Sequence, residues 1–279
     1  TLPESIKILR GPKGSKVNLT VKREGVDGLL EFEIERALIK IESVKNGRIG
    51  DDVQYIRLTQ FIETTATDLE NVLKKVDKEK PKGVILDLRN NPGGLLDAAV
   101  EVSRLFVPKG NIVTIKGRGD REVVYSSYYQ AHHNFPLVVL VNKGSASASE
   151  IVAGAIKDSR RGLTLGTKTF GKGCVQTVME IGGGSAIALT TAWYYTPSGA
   201  CIHNEGIEPD IPVKQPRLSP QKKKEILKKE KNGFMQIDEK TGDMMVKVPV
   251  FDVQLQRAVD ILRSYHIFRS REEKALTKG

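Results

Sequence analysis

The sequence contains little cysteine and few aromatic residues. Of its 279 residues, 2 are cysteine and 6% are aromatic. The pair Cys174 and Cys201 is too small for the disulfide framework of small secreted domains, so a hydrophobic core must stabilise the fold. No stretch approaches the ~20 apolar residues of a membrane-spanning helix, and no cysteine–histidine cluster has zinc-site spacing. We therefore expect neither a membrane span nor a bound metal.

The composition is that of a globular protein with an excess of positive charge. Hydrophobic residues make up 39% and charged residues 28%, and the formal net charge is +10. Much of the excess lies in one tract, which contains Lys222, Lys223, Lys224, Lys228, Lys229 and Lys231. A solvated basic helix explains this tract. Nucleic-acid binding is the remote alternative, because no aromatic stacking platform accompanies the charge.

Hydrophobic patterns predict an α/β fold. Alternating residues predict two short strands, near 17–21 and 30–34, and a glycine-rich turn at 182–184 predicts a hairpin. Continuous apolar runs predict buried strands at 84–88 and 137–141, each followed by a helix. A capping box at Thr67 and Glu70 predicts the start of an earlier helix. Phe251, Leu255, Val259 and Leu262 form a helical stripe that predicts a docking face.

The segment Gly144–Glu150 carries the first candidate site residue. Ser147 lies where a buried strand ends and a helix begins, and unpaired amides at a helix start stabilise a nearby anion. An ordinary N-cap serine explains the same position. Because three serines alternate with alanines here, the spacing alone does not decide which serine would be the nucleophile.

Two further segments offer groups that complete a hydrolytic site. The Ala148 amide and an amide of the turn at Gly93 and Gly94 are candidate donors to an oxyanion. Lys172 lies between two glycines, and burial of a lysine favours the neutral amine that acts as a base. In an extended segment Gln176 shares a face with Lys172 and would orient its amine. An exposed turn lysine is the plain alternative.

Histidine offers a competing mechanism. His132, His133 and His203 are candidates for a serine–histidine–aspartate triad, which is defined in space and not by order in the chain. The first two lie in a polar loop, where a surface position explains them. Asp87 ends a buried strand and is followed by Arg89, with which it would pair.

Four segments, in this order, resemble the motifs of the carboxy-terminal processing proteases, also known as tail-specific peptidases. They are residues 87–94, 144–150, 169–176 and 206–210. The resemblance covers roughly residues 45–215. It implies a crotonase/caseinolytic-protease-like spiral β-sheet core with flanking helices, and no cofactor.

The resemblance also implies roles for individual residues. Ser147 matches the nucleophile, Lys172 the general base and Gln176 the residue that positions it. Ala148 and Gly93 or Gly94 match the oxyanion donors. Two further residues match supporting positions: Asp158 and Thr169.

The expected organisation has three parts. Residues 1–40 resemble the last part of a PDZ domain, residues 41–215 form the catalytic core, and residues 216–279 form a basic helical segment that docks or dimerises. The expected function is a serine endopeptidase that cuts proteins near accessible C-termini through an acyl-enzyme. A non-catalytic peptide-binding or scaffold relative is the alternative.

The resemblance implies export to a bacterial envelope or periplasm. A plastid lumen or a spore compartment is the alternative. Peripheral association with the envelope and a homodimer are further expectations. The first residues are not a signal peptide.

Overall fold

The computed structural model describes residues 2–23, 25–38, 42–119, 121–128, 133–216, 219, 235–237 and 244–276. The chain divides into two compact units, Thr1–Glu42 and Ser43–Gly279. His132 and the lysines of the basic tract lie outside the described residues. Within the described residues, no helix has the length and apolar character needed to cross a bilayer.

The described residues of the first unit form one helix and one hairpin: α1 (Leu2–Leu9), β1 (Lys16–Val21) and β2 (Leu30–Glu35). Both predicted strands are present and pair antiparallel, and Val17 lies opposite Ile34. Arg36 donates from Nε to the Leu9 carbonyl at 2.9 Å and from Nη2 to the Ile8 carbonyl at 2.8 Å. Its guanidinium thereby attaches the helix to the hairpin.

In the part of the second unit that the structure describes, the strands form two β-sheets. The larger sheet has the strand order β12-β9-β8-β5-β4-β3-β14-β13, and the smaller sheet has the order β10-β11-β6-β7. Strands β4, β5, β8 and β9 are mutually parallel. The strands are β3 (Val44–Ile49), β4 (Val53–Leu58), β5 (Gly83–Asp87), β6 (Gly110–Gly117), β7 (Glu122–Ser127), β8 (Leu137–Val141), β9 (Leu163–Gly166), β10 (Cys174–Gly182), β11 (Ser185–Tyr195), β12 (Ile211–Pro212), β13 (Met235–Ile237) and β14 (Met244–Val246).

Helices cover both faces of the larger sheet. They are α2 (Thr65–Glu79), α3 (Leu96–Phe106), α4 (Ala148–Asp158) and α5 (Val253–Leu276). Leu86 and Leu88 belong to the core that α2, α3 and α4 share with the smaller sheet, whereas Ile85 belongs to the core under α5. Because successive side chains of a strand point to opposite faces, Asp87 lies on the α5 side. The predicted α/β class is confirmed.

The start of α2 differs from what the sequence predicted, and the structure shows what the apolar stripe of α5 packs against. The predicted start of α2 at Thr67 is wrong, because the Thr65 hydroxyl accepts the Ile62 amide at 2.9 Å and the helix begins at Thr65. The predicted docking stripe of α5 is buried against the chain's own sheet at Leu255, Val259 and Leu262. Its burial therefore requires no second copy of the chain, and the homodimer stays a prediction.

Candidate active site

Three loops meet at one edge of the larger sheet. The loop after β5 carries the glycine turn, the loop after β8 carries the serine segment, and the loop after β9 carries Lys172. These strands are adjacent and parallel, so their carboxyl ends lie side by side. Backbone bonds join the loops: the Ala146 amide donates to the Asn91 carbonyl, and the Phe170 amide to the Ser145 carbonyl, each at 3.0 Å.

The structure distinguishes the three serines. Ser145 and Ser149 are fully buried, and their hydroxyls donate to the carbonyls of Leu88 at 2.8 Å and Asn91 at 3.0 Å. Ser147 is half-buried and has φ 55° and ψ −114°. A non-glycine residue with positive φ stores roughly 1–3 kcal/mol of strain, and such residues concentrate at functional sites. Ser147 is therefore the serine available for chemistry.

Glu150 joins the serine segment to the lysine loop. Its side chain is fully buried. Oε1 accepts the Thr169 hydroxyl at 2.5 Å and the Gly171 amide at 2.7 Å. Oε2 accepts the Ser147 amide at 2.8 Å and the Lys172 amide at 2.9 Å. One carboxylate thus sets the distance between the backbones of both candidate catalytic residues.

Sequence reasoning missed the role of Glu150. The available signal was its position three residues after Ser147, the spacing at which a glutamate caps the start of a helix. That spacing accounts for the bond to the Ser147 amide. The bonds from the lysine loop to Glu150 join residues far apart in the chain, so no local sequence pattern predicts them.

The glycine turn packs directly against the nucleophile segment. A Cβ on Gly93 would lie 2.9 Å from the Ser147 Cβ, and a Cβ on Gly94 would lie 2.0 Å from the Phe61 carbonyl oxygen. Both positions therefore require glycine. The Gly93 amide donates to Asn91 Oδ1 at 2.9 Å. Of the two turn amides, Gly94's is the one with no acceptor in the described part of the chain.

The structure leaves Lys172 and Gln176 exposed. Within the described ranges, neither side chain makes a hydrogen bond, and Lys172 forms no ion pair. The neighbouring Phe170 is also 61% exposed. Serine, glycine and lysine segments are thus brought together through their backbones, while the lysine side chain extends into solvent.

The two predicted supporting residues have different positions. Thr169 is buried, donates to Glu150 and accepts the Ile207 amide at 2.6 Å, so it belongs to the site. Asp158 lies at the other end of α4 from the nucleophile and accepts the Ser198 amide at 2.9 Å. Among the described residues it makes no hydrogen bond to either candidate catalytic residue, and it fixes a turn instead.

The described histidines do not form a triad with Ser147. His133 is 5% exposed, and its Nδ1 lies 2.6 Å from Asp77 Oδ2, so its predicted surface position is wrong. The ring also stacks on Phe135. His203 Nδ1 is buried without a hydrogen-bond partner in the described structure. Nor do three or more metal-ligating side chains cluster anywhere in the residues described.

Comparisons with known proteins show which family this chain resembles. A carboxy-terminal-processing protease from Bartonella bacilliformis is 43% identical over 277 residues, which cover 94% of this chain and 64% of the relative. A carboxyl-terminal-processing protease from Synechocystis sp. is 42% identical and covers 78% of this chain and 52% of the relative. This chain therefore spans only part of their length.

The solved structures agree with the sequence comparisons. A photosystem II D1 C-terminal processing protease superimposes with a TM-score of 0.59 at 34% identity, covering 76% of this chain and 59% of the other. The family model described as Peptidase family S41 matches residues 52–213, which contain all three loops of the site. The match extends over more than half of the sequence, and this chain belongs to peptidase family S41.

Proposed function

We propose that this chain is the catalytic part of a serine endopeptidase that cuts proteins near their C-termini with a Ser147–Lys172 dyad. The observation that carries the proposal is the buried Glu150 carboxylate, which accepts the amides of both residues. A strained, half-buried serine at a helix start is the second support. In a strained turn between a strand and a helix, the serine hydroxyl is exposed at the carboxyl end of the sheet.

The proposed reaction proceeds through an acyl-enzyme. Ser147 Oγ attacks the peptide carbonyl carbon while the Lys172 amine accepts its proton. The amides of Ala148 and Gly94 donate to the oxyanion of the tetrahedral intermediate. The carbon–nitrogen bond then breaks, Lys172 passes the proton to the leaving amine, and water hydrolyses the ester.

Lys172 has to leave the solvent for this reaction. Water stabilises an ammonium ion, and removal of water favours the neutral amine that accepts a proton. We propose that a bound substrate strand covers the lysine loop and places Lys172 Nζ beside Ser147 Oγ. Gln176 then orients the amine. Asp158 supports the site only through the turn that it fixes.

The substrates and location are proposed from the family resemblance. The relatives named above are carboxy-terminal processing proteases, and we propose protein or peptide substrates with accessible C-termini, without a cofactor. The location is a bacterial envelope after export, or a plastid lumen or spore compartment. The core is proposed to be a crotonase-like spiral, and residues 1–40 a PDZ remnant.

A non-catalytic, peptide-binding relative is the second candidate. The exposed Lys172, which makes no side-chain bond in the described structure, is the observation that favours it. A serine-reactive fluorophosphonate probe distinguishes the candidates. Labelling that maps to Ser147 supports the peptidase. An unlabelled chain that also cuts no peptide supports the binding protein.

The direct test is cleavage of a loosely folded protein, read by mass spectrometry. We expect the wild-type chain to cut it and the Ser147→Ala and Lys172→Ala variants to be silent. Lys143→Ala is the matched control, because Lys143 is an exposed lysine in the serine loop. Cleavage by Ser147→Ala at the wild-type rate would contradict the proposal.

A further inference from the structure

A buried ionic network lies directly behind the glycine turn. Arg89 Nη2 lies 2.7 Å from Asp87 Oδ2, and its Nη1 lies 2.7 Å from Asp252 Oδ1. Tyr55 donates its hydroxyl to Asp87 Oδ2 at 2.7 Å, and Gln215 Nε2 donates to Asp252 Oδ1 at 2.6 Å. The guanidinium therefore bridges two carboxylates, one from the central sheet and one from the C-terminal segment.

The Asp252 carboxylate also caps the N-terminus of α5. Its Oδ1 accepts the Leu255 amide at 3.0 Å, which is an N-cap bond. Gln254 donates from Nε2 to the Val213 carbonyl at 2.7 Å, and its Oε1 accepts Arg89 Nη1 at 3.2 Å. The first turn of α5 is thus attached to Arg89 by both residues. This helix lies beyond the region that the family model matches.

Arg89 belongs to the same short segment as the oxyanion turn. On the catalytic side of this segment, the Leu88 carbonyl accepts the Ser145 hydroxyl, and the Asn91 carbonyl accepts the Ala146 amide. On the other side, the Arg89 amide donates to Asp87 Oδ1 at 2.9 Å, which shapes the turn. A shift of Arg89 therefore moves the backbone that leads to Gly94.

We propose that α5 positions the active site, and that Asp252, acting through Arg89, holds the turn bearing the Gly94 amide in its productive place. Asp252 and Arg89 are positioning residues, since neither reaches the reacting atoms. This inference rests on the proposed peptidase function for its kinetic consequence. Its structural consequence is independent of that function.

Physical chemistry supports a coupling of this kind. Arg89 binds Asp252 with two nitrogens, because Nη2 also donates to Asp252 Oδ2 at 2.9 Å. A bidentate pair of this kind fixes orientation as well as distance. A buried guanidinium that loses one of its two carboxylates is left with uncompensated charge. The arginine side chain then has to move until water or another group compensates that charge. Displacement of a catalytic group by ~1 Å can lower a rate ~10²-fold, so a small movement of the turn is sufficient.

The test compares two variants that weaken the docking of α5 at different places. Asp252→Asn removes the charge beside the turn. Arg263→Gln is the matched control, because Arg263 pairs with Asp52 at the start of β4, the opposite end of the sheet from Asp87. Two quantities are measured: kcat and KM for peptide cleavage, and amide hydrogen exchange of residues 88–95.

For Asp252→Asn we expect kcat to fall about 10- to 100-fold with KM within about twofold. We also expect exchange in residues 88–95 to become at least about tenfold faster. Arg263→Gln should change neither kcat nor the amide exchange of residues 88–95. Asp252→Glu, which keeps the charge, should restore part of the lost kcat.

Unchanged exchange in residues 88–95 of a folded Asp252→Asn variant would overturn the inference. So would an equal effect of Arg263→Gln, because loosening of α5 as a whole would then explain the result. If Asp252→Asn does not fold, Arg89→Lys keeps the positive charge but loses the bridging geometry, and the same exchange measurement applies. A wild-type chain without peptidase activity contradicts the proposed function, while the exchange result still decides the coupling.

Discussion

At the scale of single residues, the site depends on Glu150 and Gly94, two positions at which another side chain would not fit or would lose hydrogen bonds. Glu150 is buried and accepts bonds at both oxygens, and its hydrogen-bond donors come from two different loops. Gly94 has no room for a Cβ because the Phe61 carbonyl occupies that space. Both residues act on the backbone and set where the reactive groups begin.

The first prediction concerns Glu150→Gln. A glutamine offers one acceptor oxygen, and its amide nitrogen would face N–H groups, so two donors would be left unpaired. We expect the free energy of unfolding to fall by about 1–3 kcal/mol and peptidase activity to fall at least about tenfold. Chemical denaturation and a cleavage assay measure these quantities.

Glu101→Gln is the control for this prediction. Glu101 lies on the exposed face of α3, where it pairs with Arg104. Loss of an exposed pair should change stability by less than about 1 kcal/mol. Wild-type activity in Glu150→Gln would show that the carboxylate is dispensable for positioning.

The second prediction concerns Gly94→Ala. The added Cβ collides with the Phe61 backbone, so the turn has to move, and we expect activity to be lost. Gly94 has a φ of 149°. Gly199 likewise has positive φ, at 86°, but nothing lies within 4 Å of its Cβ position. Gly199→Ala therefore measures strain alone. Gly94→Ala should be less stable than this control by roughly 1–3 kcal/mol, and equal stabilities would refute the collision.

At the scale of elements, α5 is held by an apolar stripe and by the ion pairs of Asp252 and Arg263. Leu255, Val259 and Leu262 pack on the sheet, and Gly83 of β5 leaves the space that Leu262 fills. A Cβ on Gly83 would lie 2.5 Å from Leu262 Cδ2. Helix and strand therefore fit at a single position along their length.

The third prediction concerns that contact. Leu262→Ala should lower the free energy of unfolding by about 2–5 kcal/mol, because a 2% exposed leucine leaves a cavity. Ile267→Ala on the same helix should change it by less than about 0.5 kcal/mol, because Ile267 is 51% exposed. Denaturant midpoints measure both. Equal shifts would mean that α5 is not docked through this stripe.

At the scale of the whole molecule, the buried network makes stability depend on pH. Burial by itself would raise the pKa of Asp252, but the hydrogen bonds and charge of Arg89 outweigh burial and lower the pKa below its usual value. The same carboxylates raise the pKa of Arg89 against the effect of its burial. Both groups therefore stay charged at neutral pH.

The fourth prediction follows from the lowered pKa of Asp252. An aspartate in the unfolded chain titrates near 3.9. The stabilisation by Asp252 is therefore complete above about pH 5 and is lost progressively as the pH falls through the unfolded-state pKa and then the lower folded-state pKa. The stability difference between wild type and Asp252→Asn should be constant from pH 7 to about 5 and shrink on further acidification.

Salt distinguishes this network from the surface pairs. Bonds from Arg263 lower the pKa of Asp52, but that pair is partly exposed and is screened at 1 M salt. The Asp252 contribution should persist at 1 M salt because the pair is buried. A pH profile identical in wild type and Asp252→Asn would refute the role of Asp252.

The sequence by itself determined the class of the fold and the order of the reactive segments. Apolar runs predicted β5 and β8, glycines marked the turn at Gly93 and Gly94, and four motifs indicated the family. Local chemistry is sufficient for the strands and the turn, because hydrophobic period and glycine geometry act within a few residues. The family follows from the resemblance of the motifs. The two β strands of the first unit were predicted for the same reason.

The resemblance already indicated Ser147, but only the tertiary structure showed that Ser145 and Ser149 are buried and what joins the site together. Ser145 and Ser149 have the same local chemistry as Ser147, and the neighbouring strand ends remove them from solvent. The bonds from Glu150 to the lysine loop and from Arg89 to Asp252 join distant parts of the chain. Such bonds depend on how strands pair and helices dock, and local sequence patterns do not predict that geometry.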